Sequence, residues 1–216
     1  MKNIKIGLSL LYMTLTLVLT AQIPEGFKIV ENKKAVKEGV LKASELTNSL
    51  SSKFVQEKHL TMMDEVLISK GKFLFKKENN IRWEYTSPIR YAIIIRNDRF
   101  VINNDGKISE FDTGSNRLFK AINNMILMAI SGNFVDNPDF DASFYENNVF
   151  YLVSLKPQNE RLQGILQSID IYFDKKDFSV RKVKFVEPGD DFTLIVFTGR
   201  KVNVDIPDNQ FLSGNE

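Results

Sequence analysis

The sequence predicts a mainly β fold with some α: one large antiparallel sheet of about ten strands, accompanied by two principal helices. Three observations lead there. From Phe54 onward, long stretches alternate apolar and polar residues with the period of a strand. Tight turn signals, Asn104-Asp105-Gly106 above all, separate those stretches and so join neighbouring strands antiparallel. Apolar spacings of three and four appear in two places, Lys33 to Leu50 and Asn116 to Ser131.

The chain opens with Lys2 and Lys5 before an uncharged run from Ile6 to Leu19, followed by Thr20-Ala21-Gln22. This is the pattern of a secretory signal peptide, residues 1–21, cleaved after Ala21. A transmembrane anchor is the rival reading, but the run falls short of the roughly 18 residues a span needs. The chain has no cysteine, so disulfides, thiol nucleophiles and a lipid-modified cysteine after the apolar run are all ruled out. Of 29 basic and 27 acidic residues, Lys2 and Lys5 account for the whole excess. Nothing global therefore favours nucleic acid. With no repeat and no Gly/Ser linker, residues 22–216 read as a single domain.

In the first helical stretch Val36, Val40, Ala43, Leu46 and Leu50 share one face. Phe54 to Leu60 begins the strands. In Lys70 to Pro88 alternation, turn chemistry and large aromatic rings coincide: Phe73 and Phe75, then Ile81, Trp83 and Tyr85, fall on one face of a hairpin turned by Lys77-Glu78-Asn79-Asn80. Pro88 ends it, because proline cannot donate in a central ladder. Tyr91 to Arg96, Arg99 to Ile102 and Lys107 to Phe111 complete a meander of five or six strands. The second helix carries Leu118, Ile122, Met125 and Ile126 on one face but is greasy on the others too, and Gly132-Asn133 stops it. Asp136 to Asp139 reads as a loop. Four further strands follow, at about Val149–Leu155, Ile165–Phe173, Ser179–Glu187 and Phe192–Val204.

Catalytic constellations are weak. Phe111-Asp112-Thr113-Gly114-Ser115 is spelled like an aspartic-protease loop, but that chemistry needs two carboxylates sharing a proton, and the chain holds no second such loop. A strand-to-helix turn capped by Ser115 or Asn116 is the plainer reading, with a secreted hydrolase using Asp112 as the alternative. His59 is the sole histidine and has no nucleophile elbow to serve. Asp136, Asp139 and Asp141 lack the glycine and glutamate of a calcium loop. No metal and no cofactor are expected. What remains is apolar: if the meander curls, Phe73, Phe75, Trp83 and Tyr85 line a trough, with the Met-bearing second helix at its mouth. Such alternation also describes an ordinary filled core.

The order of these pieces resembles the periplasmic lipoprotein carriers of the LolA family. The resemblance is carried by Phe54-Val55-Gln56, Gly71-Lys72-Phe73-Leu74-Phe75, the basic pair Lys76-Lys77, Ile81-Arg82-Trp83-Glu84-Tyr85, Pro88, Asn104-Asp105-Gly106 and Phe111-Asp112 before a helix. It implies an incomplete, unclosed β-barrel whose opening is lidded by helices around a hydrophobic cavity. It also implies a non-enzymatic monomer that takes acylated lipoproteins, or another lipid cargo, from an inner-membrane ABC-type transporter to an outer-membrane acceptor. Cargo-binding residues on this reading are Phe73, Phe75, Trp83, Tyr85, Ile93, Ile95, Leu118, Ile122, Met125 and Ile126. The family's basic segment often reads Lys-Arg-Pro, its Arg holding the lid. Lys77 and Glu78 stand at those places, which makes Lys77 the implied latch.

Overall fold

A computed structural model describes residues 23–96, 99–112 and 137–213. The expected signal peptide and the second helix, with Leu118, Ile122, Met125 and Ile126, lie outside the described residues, so the helical lid implied by the resemblance rests on residues not described.

The described residues form one antiparallel sheet of 12 strands. A two-residue β1 (Lys28–Ile29) precedes helix α1 (Lys33–Glu45). The meander follows as β2 (Ser49–His59), β3 (Leu67–Lys76), β4 (Asn80–Ser87), β5 (Tyr91–Arg96), β6 (Arg99–Asn104) and β7 (Lys107–Asp112). The second half contains β8 (Phe140–Glu146), β9 (Phe150–Pro157), a short helix α2 (Glu160–Gln163), β10 (Ser168–Asp174), β11 (Val180–Val186) and β12 (Phe192–Val202). The spatial order is β1-β8-β9-β10-β11-β12-β2-β3-β4-β5-β6-β7, so the last strand pairs with the start of the meander, while β1 and β7 stand at opposite ends of an unclosed sheet.

Local chemistry explains the elements. The β3–β4 turn places Glu78 and Asn79 at φ 72° and 62°, the two left-handed residues of the hairpin turn whose twist matches the strands. Asn32 caps α1 by accepting from the Ala35 N–H at 3.0 Å, and Val36 and Val40, one turn apart, are its buried face. The helix stops at Glu45, short of the expected Leu50. Asn203 is responsible: its side chain donates to the Leu46 carbonyl at 2.9 Å and accepts from the Asn48 N–H at 2.8 Å. This clamps the helix end and turns the chain into β2, where Leu50 becomes a strand residue. Further corrections to the sequence reading are β8, which that reading leaves without a strand, and α2, which delays the next strand from Ile165 to Ser168. In β8, Phe140, Ala142 and Phe144 alternate inward, but Asp141, Ser143 and the preceding Asp and Asn residues mask that signal. Pro157 ends β9 as its last residue rather than following it.

Two hydrophobic clusters occupy the inner face. One joins Val36 and Val40 of α1 to Phe144, Val153, Leu155, Ile171 and Phe173 on β8–β10. The other joins Phe54, Phe73, Phe75, Ile81, Ile95 and Phe100 on β2–β6. On the outer face the chain end returns as a strap, with Ile206 and Phe211 covering Ala92, Ile94 and Val101. Lys76 Nζ donates to the Ile206 carbonyl at 3.1 Å, and Asn103 Nδ2 to that of Ser213 at 2.6 Å, holding the strap down. Asp112 is the final residue of β7, paired in register with Arg99.

Candidate functional site: an apolar cavity under the first helix

An apolar cavity of about 110 Å³ lies between α1 and the inner face, room for several waters. Its wall takes Val40, Ala43 and Thr47 from α1 and its end, Phe73 and Trp83 from β3 and β4, Phe173 from β10, and Phe197 and Arg200 from β12. β10 and β4 are five places apart in the sheet, about 24 Å if flat. Since Phe173 and Trp83 border one small cavity, the sheet is strongly curled.

Register builds the wall. Ser52, Phe73, Trp83 and Ile93 form one row across β2, β3, β4 and β5. Trp83 is the hub of that row, its ring 4.9 Å from Phe54, 5.2 Å from Phe73 and 6.0 Å from Phe197. Tilted and edge-on contacts of this kind add to plain burial. Tyr85 stacks on Tyr91 at 4.4 Å and donates to Gln56 Oε1 at 2.8 Å. Burial, followed by the neighbouring Tyr91, pushes its hydroxyl well above the ordinary tyrosine range, so it remains a neutral donor.

Of the residues proposed from sequence, Phe73 and Trp83 reach the cavity. Phe75 and Ile95 are buried in the adjoining cluster, with Tyr85 and Ile93 packed against it. The wall contributed by α1, β10, β11 and β12 is absent from the sequence reading. Its signal was present as the inward alternation of Phe173, Val183, Ile195 and Phe197, but nothing local says that those strands curl towards Trp83.

Lys77 sits at the end of α1. Its ammonium donates to the Glu45 carbonyl at 2.7 Å and its backbone N–H to the Asn48 carbonyl at 2.8 Å. It therefore neutralises the partial negative charge of the helix C-terminus that borders the cavity. Gly39 sets the approach of the same helix, for a Cβ there would lie 2.4 Å from the Phe178 ring. Phe178 lines the cavity and stacks on Tyr151 at 5.6 Å.

Polar groups on the wall are few. Among the described residues, three buried side-chain atoms lack a hydrogen-bond partner, and all belong to wall residues: Ser52 Oγ, Trp83 Nε1 and Ser179 Oγ. The Ser179 hydroxyl bears electrostatically on the Asp177 carboxylate and the Trp83 N–H on the Tyr85 hydroxyl. Arg200 is the one charged residue on the described wall.

Elsewhere, His59 stacks on Phe192 at 4.1 Å and lies 3.2 Å from Glu57, with no serine or threonine hydroxyl among those contacts. Among the described residues no three His, Cys, Asp or Glu side chains converge as a metal site. No helix among them is long and apolar enough to cross a membrane.

No curated protein matches the sequence. Solved structures match in fold. An uncharacterized conserved protein from Thermus thermophilus superposes with a TM-score of 0.53 at 8% identity, over 82% of this chain and 91% of its own. MucB gives 0.52 at 12%, over 87% of this chain and 64% of its own. A LolA superfamily protein from Nitrosomonas europaea gives 0.44 at 10%, over 83% and 96%. The family model for the outer membrane lipoprotein carrier protein LolA matches residues 45–213, from the end of α1 to the strap. That is well over half of the sequence, and the chain belongs to the LolA family.

Proposed function

We propose that residues 22–216 act as one periplasmic carrier domain that binds the acyl chains of lipoproteins, or of a related lipid, and shuttles them between membranes without chemical turnover. The observation that carries this reading is the apolar cavity between α1 and the aromatic rows of a curled, unclosed sheet. Burying an acyl chain is favourable by about 0.8 kcal/mol per methylene, so a small apolar site gives useful affinity yet yields its cargo to a larger one. Phe73 and Trp83 contact the chain on this reading, while Phe75, Tyr85, Ile93 and Ile95 support them from the adjoining cluster. Leu118, Ile122, Met125 and Ile126 are proposed to cover the site. The donor is an inner-membrane ABC-type transporter and the recipient an outer-membrane acceptor.

Mass spectrometry after mild extraction should find an acylated peptide or lipid at close to one per chain. Trp83, the only tryptophan, should change its emission as that cargo leaves. Absence of any bound amphiphile, together with unchanged emission on adding lipoprotein, refutes the reading.

A further inference from the structure

Simple alternation along β12 would put Arg200 outside. Phe197 faces inward and Thr198 outward, so residue 200 should point away from the cavity. A bulge reverses this. Thr198 pairs with Lys53 and Lys201 with Ser51, leaving Gly199 and Arg200 together opposite Ser52. Gly199 takes φ 62°, a left-handed conformation in which glycine bears no Cβ penalty. The extra residue turns the Arg200 side chain onto the cavity wall.

Once there, Arg200 is poorly matched by the described residues. Its side chain is 19% exposed, yet among the described residues it makes no hydrogen bond, and its ion-pair partner, Asp177, lies 4.0 Å away. Asp177 is itself engaged by the Ser179 N–H at 2.9 Å and by Arg181 at 3.7 Å. Arg181 in turn pairs with Asp174 at 3.1 Å. Burial pulls the Arg200 guanidinium below its usual range, with Asp177 only partly offsetting it. Opposite the bulge, Ser52 is 5% exposed and its hydroxyl has no partner among the described residues. A guanidinium offers five N–H donors in a planar fork suited to an oxyanion, and a buried hydroxyl is seldom left unsatisfied.

We propose that Arg200 and Ser52 form a head-group site for an anionic amphiphile, whose carboxylate or phosphate meets the bulge while its hydrocarbon chain runs along Phe73, Trp83 and Phe197. This rests on the carrier reading and narrows it to cargo with an oxyanion close to the chain. A charge-assisted contact of this kind corresponds to about ten- to a hundredfold in affinity.

Trp83 emission tests it in titrations with dodecanoate, dodecyl phosphate and methyl dodecanoate, each below its aggregation limit. The wild-type protein should bind at least one anion about tenfold or more tightly than the ester. The tighter of the two identifies the head group. Arg200→Gln should abolish that preference, Arg200→Lys should restore part of it, and Lys53→Gln on the outer face should leave it intact. If Arg200→Gln fails to fold, Ser52→Ala and the wild-type anion-to-ester ratio still decide. Equal binding of anion and ester by the wild-type protein overturns the head-group site and leaves the carrier reading standing. Binding of none of the three overturns both.

Discussion

The two halves of the inner face start from the same alternating pattern and end differently. Beneath the first turn of α1, β9 and β10 present Val153, Leu155 and Ile171, and Val36 packs in the same cluster, so Val153 and Leu155 have no exposed surface. Across β2–β4 the inward rows are aromatic, and Trp83 and Tyr85 remain half-buried beside the cavity. Aliphatic rows under a helix interdigitate to near-crystalline density. Rings bridging a curled sheet leave space between them, and polar groups such as Ser52 and Arg200 can stand at its edge. Alternation therefore identifies an inner face without saying whether it is filled.

Truncation measures that contrast most directly. Leu155→Ala in the filled half should cost about 2–5 kcal/mol in urea unfolding, since the site cannot collapse. Ile93→Ala beside the cavity should cost clearly less, because Ile93 is only partly buried. Equal losses would abolish the distinction.

Gly39→Ala tests how closely the helix must sit. Higher helix propensity favours the substitution by up to about 1 kcal/mol. The 2.4 Å approach of the new Cβ to Phe178 opposes it by about 1–3 kcal/mol of overpacking. A net loss in thermal stability is expected, relieved in the double variant with Phe178→Leu. A net gain would mean that α1 is free to ride over the cavity.

Smaller effects come from the tether. Lys77→Ala removes one hydrogen bond to the Glu45 carbonyl, and about 0.5–1.5 kcal/mol should disappear from the unfolding free energy. Lys77→Arg should keep most of it, the guanidinium also being able to donate to that carbonyl.

The filled half should also respond to acid. Hydrogen bonds from Lys175 and Lys28 hold the Glu146 carboxyl below its ordinary value of 4.5. Because the folded value is the lower one, its contribution is complete above pH 4.5 and is lost as pH falls through the folded value. Glu146→Gln should flatten that part of the acid limb in a melt series from about pH 6 to about pH 3. An unchanged limb would show that the link between β1, β8 and the β10–β11 turn is not what acid releases.

Much of the fold was readable because its determinants are local. The β2–β7 meander follows from alternation plus Asn79, Asn104-Asp105-Gly106 and Pro88, each a turn or stop with a steric cause. β8 was hidden because its inward phenylalanines are interrupted by residues common in loops. At the candidate site, Phe73 and Trp83 were readable as an apolar face, whereas Arg200 could not be placed. Alternation assigns it to the outside, and only the bulge against Ser52 brings it in.

By itself the sequence determined the mainly antiparallel β class, the first helix, the meander and the family resemblance, all consequences of patterns spanning a few residues. Tertiary structure alone decided that β12 closes onto β2, that the sheet curls until β4 and β10 share one cavity, and that Lys77 secures α1. The reason is range: alternation fixes which way a side chain faces, but curvature, register shifts and helix placement depend on contacts between residues as far apart as Asn48 and Asn203.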